Sequence, residues 1–138
     1  MEIEKTKKTI GFFPMCADLL HAGHVIALEE AKNKCDYLIV GLNCNPAGKN
    51  PYQSIYERFM QLRAVKYVDE IIPYDGEKDM EAIVKSLNYD VRFLGSDYCG
   101  KMWDGKEHET ATPYFVSRKH KFSTSELAQR VKEDKRSK

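Results

Sequence analysis

The chain reads as one α/β domain built on a parallel sheet, and three observations predict it. Short apolar runs alternate with helix-period segments along the whole length. One run, residues 36–42, is continuously apolar after its leading Asp36, as in a strand covered on both faces, and a loop crowded with Asn, Gly and Pro follows it at residues 43–51. Such alternation favours right-handed crossovers between parallel strands with helices on both faces. At 138 residues the chain has the length of one domain, and it shows no internal repeat and no linker between two cores.

The elements follow in order. Residues 11–15 predict a short buried strand, and residues 23–34 a helix whose apolar positions Val25, Ala27, Leu28 and Ala31 keep the 3.6-residue period. After the second strand and its loop, Ser54 is an N-cap with Glu57 as capping-box partner, and Phe59, Met60, Leu62 and Val65 are candidate buried positions. Residues 70–73 give a third strand. Residues 78–87 form a helix with Met80, Ile83, Val84 and Leu87 on one side, and residues 91–94 a fourth strand that stops at Gly95. Residues 114–116 give a fifth strand, and Ser123 caps a final helix to Glu133 with Glu126 in the capping-box position.

Bulk properties exclude several functions. With 22 basic and 21 acidic residues the formal charge is +1, so no broad field draws the chain to nucleic acid or to a membrane surface. The start lacks a signal-peptide run, and nothing approaches the roughly 20 apolar residues of a membrane span, so a cytoplasmic, soluble protein is expected. Cys16, Cys35, Cys44 and Cys99 are scattered and are expected to stay reduced. Residues 132–138 are a charged tail, read as a solvated, frayed end.

His21 and His24 stand one helical turn apart where the first strand meets its helix. The first N–H groups of a helix lack intrahelical partners and the dipole is positive there, so an anion is stabilised, and two imidazoles three residues apart can grip its oxygens. Gly23 between them allows close approach of the ligand to the backbone. The alternative is zinc held by Cys16, His21 and His24, although no CxxC pair or second histidine pair accompanies them.

The stretch Asp18-Leu19-Leu20-His21-Ala22-Gly23-His24 resembles the G-T-F-D-x-x-H-x-G-H signature of the cytidylyltransferase-like nucleotidyltransferases, most of all the small glycerol-3-phosphate cytidylyltransferases. The likeness continues through Tyr37-Leu38-Ile39-Val40, Glu57-Arg58, Tyr67-Val68-Asp69-Glu70-Ile71-Ile72, Leu94-Gly95-Ser96-Asp97-Tyr98 and Ser123-Thr124. The adenylyltransferase domains of heptose-phosphate enzymes are similar too, including His21-Ala22-Gly23-His24-Val25. The resemblance implies a Rossmann-like, doubly wound sheet of order 3-2-1-4-5, in which the ends of the first and fourth strands flank the switch point. It also implies transfer of a nucleotidyl group from CTP or ATP to a small phosphorylated acceptor, with glycerol 3-phosphate and CTP favoured. Pyrophosphate leaves, Mg²⁺ serves as cofactor, and the chain forms a homodimer.

On that resemblance His21 and His24 bind the triphosphate and stabilise the transition state, and Asp18 orients the site or caps the following turn. Arg118, Ser123 and Thr124 resemble the second signature, R-T-x-x-I-S-T, with His120 and Lys121 adding charge to the same loop. Lys49 is implied to reach the phosphates or the acceptor, and Arg58 the acceptor phosphate. Gly95 and Asp97 border base and ribose, Lys101 follows them, and Tyr98 and Trp103 are candidate stacking rings. The chain departs from the pattern where Met15-Cys16-Ala17 replaces Gly-Thr-Phe, putting Cys16 under the nucleotide, and at Asn45 and Lys119. These departures bear on substrate choice, and they leave open a nucleotide-binding module without catalysis.

Overall fold

The computed structural model describes residues 7–96, 100, 103 and 105–134. Five strands, β1 (Ile10–Met15), β2 (Tyr37–Asn43), β3 (Glu70–Tyr74), β4 (Val91–Gly95) and β5 (Thr112–Val116), are joined by α1 (Ala22–Lys32), α2 (Ile55–Arg63) and α3 (Gly76–Ser86), and α4 (Thr124–Glu133) follows β5. Every neighbouring pair is parallel, and the order is β3-β2-β1-β4-β5, the doubly wound arrangement expected. The chain winds outward from β1 in one direction and then returns to β4, so the switch point lies between β1 and β4.

Strand side chains alternate between faces, and this sorts the core into two layers. Phe13, Leu38, Val40 and Leu42 pack with Leu28 and Ala31 of α1 and Leu62 of α2 on one side. Phe12 and Ile39 pack with Met80 and Val84 of α3 on the other. Burial on both faces explains why β2 is apolar throughout. Gly11 is required by close approach: a Cβ there would lie 2.3 Å from Phe93 Cε2. Truncating the fully buried Leu38 to alanine costs about 3 kcal/mol. Between β4 and β5, Arg92 Nη1 meets Glu109 Oε2 at 2.9 Å, and the Tyr89 hydroxyl donates to the same oxygen at 2.8 Å. These buried partners fix the approach to β5.

The structure corrects the sequence expectation in several places. α1 begins at Ala22, because His21 itself is the N-cap. Val25 and Met60 are each 38% exposed, since the inward stripes run through Gly23, Leu28 and Ala31 in α1 and Arg58 and Leu62 in α2, leaving those two side chains on the far side. β5 starts at Thr112, where main-chain pairing with Val91 begins. It is an edge strand, which is why Pro113 is tolerated in it. Ser54 and Glu57 form the expected capping box, whereas Glu126 pairs with Arg130 at 3.1 Å and leaves only the Ser123 half of the second one. Among the described residues no helix is long and apolar enough to cross a membrane.

Candidate active site

A cleft of about 790 Å³ opens at the carboxyl ends of β1 and β4. On one side stands the N-terminus of α1, where two histidines cap each other. His21 Nδ1 accepts the Gly23 N–H at 3.0 Å, and His24 Nδ1 accepts the His21 N–H at 3.1 Å. This is a capping box built from imidazoles, with ring centroids 4.0 Å apart. A ring that accepts on Nδ1 carries its proton on Nε2, so each histidine offers one outward N–H donor. Gly23 is obligatory here, because a Cβ would sit 2.8 Å from His21 Cε1 and 3.0 Å from His120 Cε1.

Burial, then the neighbouring His21 and Arg118, push the His24 pKa down to about 4. Burial and His120 lower that of His21 as well. At neutral pH both rings are therefore uncharged, and each offers a fixed hydrogen-bond donor. Arg118, which also lines the cleft, supplies the cationic charge.

The β1–α1 turn is held in place from three directions. Ala17 and Leu19 adopt left-handed φ values of 55° and 48°, costly for residues other than glycine. Asp18, buried between them, accepts the Tyr52 N–H at 2.9 Å and the Gln53 N–H at 3.0 Å. Gln53 returns Oε1 to the Leu19 N–H at 2.7 Å, and the Thr124 hydroxyl donates to the Asp18 carbonyl at 2.9 Å. Asp18 thus anchors the segment before α2 to this turn and does not cap α1, a role that falls to His21.

Arg58 is 2% exposed and does not line the cleft. Its guanidinium donates to the carbonyls of Asn43 (2.7 Å), Cys16 (3.0 Å), Cys44 (3.2 Å) and Gln53 (3.3 Å). The expected contact with an acceptor phosphate is therefore replaced, in this structure, by a buried clamp joining the ends of β1 and β2. Main-chain carbonyls leave no mark in the sequence, so nothing in it signalled this geometry, nor the part played by Gln53.

The structure brings most of the other candidates together. Cys16, Asp18, His21, Gly23, His24, Lys49, Gly95, Arg118, Ser123 and Thr124 all line the cleft, with Trp103 near the end of β4. Ser123 Oγ accepts the Glu126 N–H at 3.1 Å and so caps α4. Burial raises the pKa of the Cys16 thiol, which lies 3.7 Å from Arg58 Nη1. Asp97, Tyr98 and Lys101 lie outside the described residues.

Among the described residues no three His, Cys, Asp or Glu side chains gather as a metal site, which removes the support for zinc on Cys16, His21 and His24. Magnesium prefers oxygen ligands. Asp18 is the one carboxylate among the described cleft residues, and both of its oxygens already accept main-chain N–H groups. The described side chains thus do not fit a magnesium ion held by the protein.

A doubly wound sheet with a donor-lined helix N-terminus at its switch point is the Rossmann-like architecture, in which ligands bind outside the carboxyl ends of the strands. Comparison with known proteins narrows the class. The cytidylyltransferase-like family model matches residues 12–134, and the chain belongs to that family of nucleotidyltransferases. The bifunctional protein HldE of Campylobacter fetus subsp. fetus (strain 82-40) is 31% identical over 140 residues, covering 96% of this chain and 30% of that protein. The protein of the same name from Campylobacter concisus (strain 13826) is 34% identical over 140 residues, with 96% and 29% covered. This chain therefore spans less than a third of the length of these relatives. Among solved structures, the lipopolysaccharide core biosynthesis protein from Thermoplasma volcanium GSS1 is similar with a TM-score of 0.65 at 26% identity, covering 80% of this chain and 96% of that one.

Proposed function

We propose that this chain is an adenylyltransferase acting on a sugar phosphate. The observation that carries the reaction class is the imidazole capping box at the N-terminus of α1, with two uncharged rings presenting Nε2–H donors to a phosphate. The choice of substrates is supported by the resemblance to heptose-phosphate adenylyltransferase domains, by the HldE relatives and by the likeness to a lipopolysaccharide core biosynthesis protein. CTP with glycerol 3-phosphate is the second reading, favoured by the sequence likeness after β4, where Gly95 borders the cleft.

In the proposed reaction an oxygen of the acceptor phosphate attacks the α-phosphorus in line. The new P–O bond forms as the bond to the β-phosphate bridging oxygen breaks, and pyrophosphate leaves with the electron pair. No protein nucleophile is needed, so catalysis rests on positioning and on donors aimed at charge that develops on the phosphates. His21 and His24 supply donors, Arg118 and Lys49 supply charge, and Ser123 and Thr124 set the opposite wall.

The same reading includes a homodimer. α1 and α2 expose Val25, Ile26, Ile55, Tyr56 and Met60, apolar side chains that a second copy would cover. Sedimentation of the purified protein tests it, with a single monomeric species as the contrary result. The reaction is tested by measuring pyrophosphate release with ATP or CTP across sugar 1-phosphates, sugar 7-phosphates and glycerol 3-phosphate. Release with ATP and a sugar phosphate is expected. Release confined to CTP and glycerol 3-phosphate selects the second reading, and silence with every pair while nucleotide still binds overturns both in favour of a binding module.

A further inference from the structure

The turn between β5 and α4 places His120 beside His21, at an open position of the second signature. Its ring is held much as the other two are. His120 Nδ1 accepts the Phe122 N–H at 2.9 Å, and the ring stacks on Phe122 with centroids 5.5 Å apart and planes 16° from parallel. This fixes the tautomer and leaves Nε2–H as the outward donor, with no partner among the described residues. The turn that presents it needs Lys121 at a left-handed φ of 63°, which a lysine adopts only at a cost.

The ring also stands where the anion site is. One point above Gly23, the position of an absent Cβ, is 2.8 Å from His21 Cε1 and 3.0 Å from His120 Cε1, and both residues line the same cleft. Three imidazoles from two distant segments thus turn Nδ1 to the main chain and Nε2 outward. Of the cationic residues in the His120 turn, Arg118 lines the same cleft. A monophosphate is small enough to be satisfied by the Nε2–H donors of His21 and His24. A third ring, with Arg118 in the same cleft, matches a longer chain of phosphates.

We propose that His120 is a third phosphate-binding donor, giving its Nε2–H to the polyphosphate of the nucleoside triphosphate beside His21. This rests on the nucleotidyltransferase reading above and adds a binding residue to it. The competing source of the same chemistry is the acceptor's phosphate, which the test separates from the nucleotide.

Calorimetric titrations of the purified protein with inorganic tripolyphosphate, ATP, AMP and a sugar phosphate are compared for wild type, His120→Ala and His120→Gln. Loss of one hydrogen bond to an anion weakens tripolyphosphate and ATP about tenfold in His120→Ala, while AMP and sugar phosphate affinities hold. His120→Gln, whose amide places a donor near the Nε2 position, recovers most of the loss. Equal weakening of AMP and ATP, no weakening at all, or weakening of sugar phosphate alone overturns the proposal. Wild type that binds and turns over nucleotide alongside an unaffected His120→Ala removes this inference only, whereas wild type that binds no nucleotide removes the parent reading with it.

Discussion

The two helix N-termini that face the cleft are built differently. At α1 the caps are histidines that accept main-chain N–H groups on Nδ1 and keep an Nε2–H for a ligand. At α4 the Ser123 hydroxyl caps the helix, and the Thr124 hydroxyl proton is already given to the Asp18 carbonyl. α1 therefore presents side-chain donors, while α4 uses at least one of its hydroxyls to hold the turn that carries them. The lesson is that residues matched to the family's two signatures divide into those that offer donors to the cleft and those that hold the ones that do.

The largest expected effect that sharpens this contrast is on α1. His21→Ala removes a donor and a cap, so turnover falls roughly a hundredfold and stability by about 1 kcal/mol, read from initial rates and from chemical denaturation. Arg58→Ala takes the guanidinium donor from the half-buried carbonyls of Cys16, Asn43 and Cys44. It is expected to cost about 3 kcal/mol in denaturant unfolding. A variant with wild-type stability and a raised KM for the acceptor would return Arg58 to substrate binding.

Acid titration probes the same capping box. The His24 pKa is about 4 in the folded protein against 6.5 for the free side chain. Between those values the unfolded chain binds more protons, so this residue's contribution makes stability fall as pH drops from about 6.5 to about 4, and it is constant above. The difference between wild type and His24→Gln should show this slope, on the order of 2 kcal/mol across the window. Parallel curves would contradict neutral, buried imidazoles. The smallest effect is at α4, where Ser123→Ala should lose about 1 kcal/mol of stability and leave turnover within a few fold.

Much of this was legible in the sequence, for physical reasons. Continuous apolar runs and helix-period stripes locate the strands and helices because burial, which sets the fold, selects residue types. The strand order needed the family resemblance. His21, Gly23 and His24 were visible because their chemistry is rare at a helix start. The rest was hidden wherever a side chain bonds to the main chain. Arg58 resembled a phosphate ligand, yet its partners are carbonyls, and of the two roles open to Asp18, orienting the site or capping the turn, its bonds to Tyr52 and Gln53 select the first. Glu126 sat at capping-box spacing but had Arg130 one turn away as a competing partner. His120 looked like added charge, and only the turn geometry reveals its fixed donor.

The most direct measurement is pyrophosphate release by wild type and His24→Ala, side by side, with ATP and the best sugar phosphate of the panel. The predicted result is release by wild type matched by nucleotidyl product, and a rate at least a hundredfold lower in the folded variant. Equal rates in the two proteins would contradict a phosphate site built on the α1 histidines.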